Sequence, residues 1–255
     1  MVRSGRRSGS ATRSSVWLKD GDRRGRRGQP SGLDRDRITE ATVRLLDAEG
    51  LAAFSMRRLA AELNVTAMSV YWYVDTKDDL LELALDHAFG ELRLPGPAAD
   101  EDWRDRLRTL AREYRALLVR HPWLSPLAGS FLNIGPGALA FSRVVQQIIR
   151  GTGLPEHRMA GALLAVFQFV YGCGTYEGHF LARVAGAGLT PDEYYRQAVS
   201  VVTRVPDAAG VVEESAGILR ARGGGTVEEM RERDFAFALD LLVAGIEAMA
   251  SRDRA

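Results

Sequence analysis

The chain has 255 residues and is 46% hydrophobic, enough for one or two compact domains with a real core. Its net charge of +1 excludes a uniformly basic or acidic protein but hides an asymmetry: residues 1–33 carry nine Lys/Arg against Asp20 and Asp22, a local +7, so the rest sums to −6. Cys173 is the only cysteine, which excludes an internal disulfide.

A basic arm on a mildly acidic body suggests a polyanionic partner, although a solvated tail with no partner has the same composition. No apolar run follows the early arginines, so no signal peptide is expected and the protein is expected to be cytoplasmic. The longest apolar stretch, Met159 to Tyr176, contains Gln168 and falls short of the ~20 residues of a membrane span; it predicts a buried helix.

Residues 1–33 are rich in Arg, Gly and Ser and are expected to be a disordered arm. A first helix is predicted from Leu33–Asp34 to Glu49. Asp34 and Asp36 favour its positive end, Ile38, Ala41, Thr42, Leu45 and Leu46 form its apolar stripe, and Gly50 stops it. Ser55 can cap a second helix, Met56 to Leu63. Thr66 can cap a short third helix from Ala67 to about Val74, and Thr76 a long fourth from Lys77 to about Leu92. Pro95, Gly96 and Pro97 break the chain. Further helices are predicted over Glu101–Arg120, as a short turn between Pro122 and Pro126, from Pro136 to Gly151–Gly153, and from Pro155 to Arg183. The last two are Pro191–Arg204 and Thr226–Ala250. Residues 205–225 carry no clear signal. No segment alternates apolar and polar residues, so the fold is predicted to be all-α.

The second and third helices form a helix-turn-helix by spacing. A tight bend needs a small inner residue, Ala60. Four residues later it needs one that accepts positive φ, Asn64, and six after that an aliphatic anchor, Val70. Any helical hairpin can show these positions by chance. The outward face adds to them: Thr66, Ala67, Met68, Ser69, Tyr71 and Trp72 are small, hydroxylated or aromatic, a poor choice for solvent and a good one for a DNA groove. Trp72 also suits a core position.

The run VTAMSVYWYVDTKDDLL resembles the recognition helix and following cap of TetR-family (tetracycline-repressor-like) transcriptional regulators. The likeness covers about residues 34–92. LLVRHPWLSPLAG, FQFVYGCGTYEGH and FAFALDLLVAGIEAM resemble later parts of the same family. The resemblance implies a three-helix DNA-binding domain at 34–80, with its motif at 55–74, and a ligand-binding and dimerisation domain at 81–255. By position, Arg57 matches a residue that reads a guanine edge. Thr66 lies at the start of the recognition helix, and Ala67, Met68 and Ser69 match base contacts. Tyr71, Trp72 and Tyr73 match residues that hold phosphates or the groove wall, and Lys77 matches a phosphate contact. Residues 34–80 hold six Lys/Arg against nine Asp/Glu, so a few placed cations, helix dipoles and the arm must supply the attraction to DNA.

The resemblance also implies a homodimer through the eighth and tenth helices and a small-molecule pocket in the body. Candidates for the pocket are Phe131, Phe141, Gln146, Phe167, Gln168, Tyr171, Tyr176 and His179, which suit either a cavity or plain core. The tetracycline repressor binds a magnesium complex through a histidine whose position falls near Gly129 here, with no histidine nearby, and a glutamate whose position falls at Tyr176. A different, bulky and largely apolar effector is therefore expected. His87, His121, His157 and His179 lack metal-ligand spacing, so no metal or cofactor is expected.

The alternatives are a helical ligand-binding protein without DNA binding and a helical enzyme. An enzyme would need a nucleophile–base pair or a metal cluster, and neither pattern is present in the sequence.

Overall fold

A computed structural model describes residues 15–18, 32–96, 102–202, 210 and 225–252. The fold is all-helical. In order run α1 (Arg35–Ala53), α2 (Met56–Glu62), α3 (Ala67–Tyr71), α4 (Lys77–Gly90), α5 (Trp103–Arg120), α6 (Leu124–Ala128), α7 (Pro136–Gly151), α8 (Glu156–Gly186), α9 (Pro191–Val202) and α10 (Val227–Arg252). The expected Pro191 helix is described as far as Val202, and the stretch from 203 to 224 lies, apart from 210, outside the described residues.

The chain forms two compact units. The first, the reading unit, is Met1–Glu91 with Pro126–Ala140; the second, the body, is Leu92–Ser125 with Phe141–Ala255.

In the reading unit the three predicted caps, Ser55, Thr66 and Thr76, are made, and Asp34, expected only to favour the positive end of α1, caps it as well. Asp34, Ser55, Thr66 and Thr76 accept from the backbone N–H groups of Arg37, Arg58, Ser69 and Asp79 at 2.7, 3.2, 3.2 and 3.0 Å. Gly50 breaks α1 at φ 77°, and the last turn resumes beyond it. The α1 stripe of Ile38, Ala41, Thr42, Leu45 and Leu46 is fully buried. α1 packs on α4, whose residues from Asp79 to Asp86 are all buried.

Three of those α4 residues are carboxylates, and each accepts hydrogen bonds from another segment. Asp79 takes the Asp75 N–H at 3.2 Å. Asp86 takes the N–H groups of Gly137 and Ala138 at 3.1 and 2.9 Å, capping the start of α7. A Cβ on Gly135 would sit 2.2 Å from the Asp86 carboxyl carbon, so glycine is required for this approach. Glu82 takes the hydroxyl of Ser15 and the Val16 N–H, the latter at 2.8 Å. Within the stretch expected to lack structure, Ser15–Leu18 thus form a turn closed by Leu18 N–H to Ser15 O at 3.0 Å. Most other residues before Leu33 lie outside the described residues.

In the body, α5 packs closely on α8 because α8 offers glycine at the contact. A Cβ on Gly174 would fall 2.8 Å from the Leu118 Cβ, and one on Gly178 3.0 Å from the Leu118 carbonyl oxygen. α5 is also laced to α10. Arg104 pairs with Glu247, Arg108 with Asp240 at 2.8 Å and Arg112 with Glu232 at 3.5 Å. Arg115 pairs with Glu232 at 2.6 Å and with Glu177 of α8 at 2.8 Å. The rising α5 numbers meet falling α10 numbers, so the two helices run antiparallel.

α8 departs from its expectation as a buried helix. It is 31 residues long and, by length and composition, apolar enough to cross a membrane, yet only 17% of its most apolar stretch is buried. Leu164, Gln168, Gly172, Tyr176, His179 and Arg183 are exposed at steps of three and four residues, which places them on one face. On α10, Phe235, Leu239, Val243, Ile246 and Ala250 are buried, while Phe237, Leu241, Gly245 and Met249 are exposed.

The glycine contact sets a stability test. Alanine normally gains about 1 kcal/mol over glycine inside a helix. Gly174→Ala is nevertheless expected to lower the thermal midpoint, since overpacking costs roughly 1–3 kcal/mol. Gly186→Ala, whose Cβ meets nothing within 4 Å, is expected to leave the midpoint unchanged or raise it. Thermal unfolding followed by circular dichroism measures both.

Candidate DNA-reading surface and effector cavity

The helix-turn-helix has the geometry its spacing demands. Asn64 sits at φ 55°, in the left-handed region, and its N–H bonds to Ala61 O at 3.1 Å. Ala60 and Val70 are 4% and 0% exposed, so both face inward. α3 has only five residues and is held by its ends. Thr66 caps it and shares a 3.0 Å hydroxyl contact with Ser69.

The outer side of α3 carries the residues predicted to read DNA. Met68 is 70% exposed, Trp72 56% and Tyr71 42%, which removes the core alternative for Trp72. Thr66 is exposed, and Ala67 and Ser69 are half-buried. Arg57 on α2 is exposed, whereas its neighbour Arg58 spends its guanidinium on Glu49 at 2.7 Å and Glu62 at 3.5 Å. The Glu49 hydrogen bond, aided by its charge, holds the Arg58 pKa above its ordinary value.

Two predicted contacts have internal tasks. Tyr73 donates its hydroxyl to Leu33 O at 2.6 Å, tying the end of the recognition segment to the entrance of α1. Lys77 donates to Phe54 O at 2.7 Å and lies 5.2 Å from the Phe54 ring centre. An ammonium has three donors, so Lys77 keeps capacity for a phosphate, whereas the Tyr73 oxygen, its one proton given to Leu33, can only accept and meets a phosphate through a bridging water.

The eight pocket candidates fall in several surroundings. Phe141 and Phe167 form a cluster with Tyr114, ring centres 5.2–6.0 Å apart. Burial pushes the Tyr114 phenol up to about 12. Tyr171 donates to Ser125 O at 2.8 Å. Phe131 lies in the reading unit, in a groove with Thr76, Asp79, Leu127 and Leu132. Gln146, Gln168, Tyr176 and His179 are exposed. Gln168, expected inside a buried apolar helix, sits instead on the exposed α8 stripe.

Sequence reasoning missed a concavity of about 420 Å³ in the body. It is lined from α8, α9 and α10 by Phe169, Tyr176, Phe180, Tyr195 and Phe235, with Arg115 and Glu177 among the charged residues. Arg231 lies 4.0 Å from the Phe180 ring centre. Burial raises the Cys173 thiol above its ordinary pKa and favours the neutral form at the same wall. Tyr176 is the one predicted residue in this lining. The lining residues lie far apart in sequence, and only the packed helices bring them together.

A capped helix-turn-helix with an exposed reading helix, joined to a helical body, defines a DNA-binding transcriptional regulator. Residues 38–84 match the model for bacterial regulatory proteins of the tetR family, and residues 96–250 match the tetracyclin repressor-like C-terminal domain. The chain belongs to the TetR family. It is 34% identical to the HTH-type transcriptional repressor DrrR1 of Streptomyces coeruleorubidus over 97% of its length, covering 89% of that protein. Apo ActR from Streptomyces coelicolor has a similar fold, with a TM-score of 0.68, 24% identity and coverage of 88% of this chain and 99% of that one. ActR in complex with (S)-DNPA gives a TM-score of 0.61 at 26% identity, covering 86% and 98%.

Arg57→Ala is expected to weaken operator binding by about 1–3 kcal/mol, roughly five- to 150-fold, and to relax specificity at one base pair. Arg58→Ala, which breaks only exposed ion pairs, is expected to change affinity far less. Fluorescence anisotropy on an operator duplex, with single-base variants, measures both.

Proposed function

We propose that the protein is a homodimeric repressor that occupies a palindromic operator and is released by a bulky, largely apolar small molecule. The observation that carries this reading is the exposed patch of Arg57, Met68, Tyr71 and Trp72 on a rigidly capped bend. A ligand-binding protein without DNA binding has no use for two exposed aromatics at that place.

In this reading Arg57 contacts a guanine edge. Thr66, Ala67, Met68 and Ser69 face bases. Tyr71, Trp72, Tyr73 and Lys77 contact phosphates and the groove wall. Met68 and Ala67 offer only apolar contact, which suits thymine methyl groups. The exposed stripes of α8 and α10 form the dimer interface. Leu164 and Tyr176 on one helix and Phe237, Leu241 and Met249 on the other are too many large apolar side chains for a face meant for water. Gly172 and Gly245, with open space where a Cβ would be, allow close approach.

The effector occupies the 420 Å³ concavity, a size within the range of small-molecule sites. Its aromatic wall suits stacked rings, and its balanced charged groups, Arg115 and Arg231 with Glu177 and Asp234, suit neutral hydroxyl or carbonyl substituents. The protein acts by population shift: the effector releases DNA only as far as it binds the DNA-incompetent arrangement more tightly.

Three measurements test the proposal. Footprinting of the region upstream of the protein's own gene is expected to reveal one symmetric protected site, and planar aromatic ligands are expected to release it. Absence of specific binding at any salt concentration would overturn the repressor reading. Leu241→Glu is expected to shift the protein from dimer to monomer in analytical ultracentrifugation and to lower operator affinity at least about a hundredfold. Deleting residues 2–30 is expected to weaken binding and flatten its salt dependence.

A further inference from the structure

Glu82 is a carboxylate 4% exposed in the middle of α4, among Leu80, Leu81, Leu83 and Leu85. A buried carboxylate is kept only where donors satisfy it. Both of its oxygens are engaged by one short segment 66–67 residues away in sequence. The Ser15 hydroxyl donates to one, and the Val16 N–H donates to the other at 2.8 Å. The Trp17 N–H returns to the Ser15 hydroxyl at 3.2 Å, and Leu18 N–H closes the turn on Ser15 O. The Trp17 ring lies 5.6 Å from the Arg35 guanidinium and lines a crevice with Leu85 and Phe89 of α4 and Ala138 of α7. This four-residue turn is therefore seated by a charged acceptor, an aromatic wedge and a cation, all within the reading unit.

The turn lies inside the most basic part of the sequence. Arg13 precedes it by two residues, Lys19 follows it directly, and Arg23, Arg24, Arg26 and Arg27 come before Gly32 in the sequence. We propose that Ser15–Leu18 is a docked latch that fixes the basic N-terminal stretch to the reading unit through Glu82, so that its cations meet DNA phosphates as part of the reading head. Glu82 and Ser15 are positioning residues for DNA binding, although neither touches DNA. Holding a binding segment beside its target raises its effective concentration, and releasing it loses that gain without removing any charge. The inference rests on the DNA-binding reading above and extends it.

The test uses the full chain with all its cations present. Glu82→Met keeps volume and removes the acceptor; Ser15→Ala removes one donor and leaves α4 intact. Each is expected to speed amide hydrogen exchange at Val16 by about tenfold or more. Each is also expected to lower operator affinity roughly three- to tenfold and to reduce the salt slope by about 1. The double variant is expected to be no worse than Glu82→Met alone, because both remove one interaction. Faster exchange with unchanged affinity and salt slope would overturn the proposal, since the latch would then only hold structure. Unchanged exchange would overturn it too, because the turn would be held by something else. A wild-type protein that fails to bind the operator at any salt concentration would instead sink the DNA-binding reading itself.

Discussion

The reading unit depends on how three carboxylates inside one helix find donors. Asp79, Glu82 and Asp86 are all buried on α4, and an unsatisfied buried charge there would cost several kcal/mol. Each solves the problem by capturing backbone N–H groups from a segment that has them to spare. Asp79 holds the turn after α3, Glu82 holds the N-terminal turn, and Asp86 holds the first turn of α7, where helix geometry leaves N–H groups free. The same need explains the sequence at the receiving ends. Gly135 and Gly137 stand where a Cβ would collide with Asp86 or its backbone. α4 therefore organises the unit through directed polar contacts as well as apolar packing. Its own first turn, capped by Thr76, lies directly after the recognition segment.

The body is held by a different balance. Glycines at 174 and 178 let α8 approach α5, and four arginines of α5 meet acids on α10. Most of these ion pairs are part-exposed and individually worth little. Their value lies in fixing register, as the antiparallel match of rising and falling numbers requires. Arg115 is the exception: its side chain is 11% exposed, bridges Glu177 and Glu232, and sits 4.4 Å from the Phe235 ring centre. It forms part of the wall of the aromatic concavity, so the ion-pair ladder and the proposed effector site share a residue. Tyr176 belongs both to that lining and to the exposed stripe of α8. A ligand that moves it would be felt at the face proposed for the partner.

What was legible in the sequence was local. Asp34, Ser55, Thr66 and Thr76 each announce a helix start and each accepts the expected N–H. Asn64 announces the bend and adopts positive φ. These features depend on neighbours within four residues, so the sequence pattern contains them. The bond from Ser15 to Glu82, the cap from Asp86 to α7 and the ladder of α5 on α10 join residues far apart, and nothing in the spacing of either partner reveals the other. The same limit explains Gln168. An apolar helix with a single polar residue reads as buried, but α8 is apolar on more than one side. Periodicity alone does not say which side faces the core. The aromatic concavity is not legible for the related reason that its walls come from four helices, α5, α8, α9 and α10, and periodicity describes one helix at a time.

The central claim is that two copies of the Thr66–Trp72 segment read one operator at a fixed separation. Inserting base pairs between the two half-sites tests it most directly, because two-fold heads sit about 34–36 Å apart, one turn of duplex. Five inserted base pairs rotate one half-site to the opposite face, and affinity is expected to fall at least about a hundredfold, with partial recovery at ten. Affinity that ignores the insertion would mean that each head binds alone, and would contradict the account.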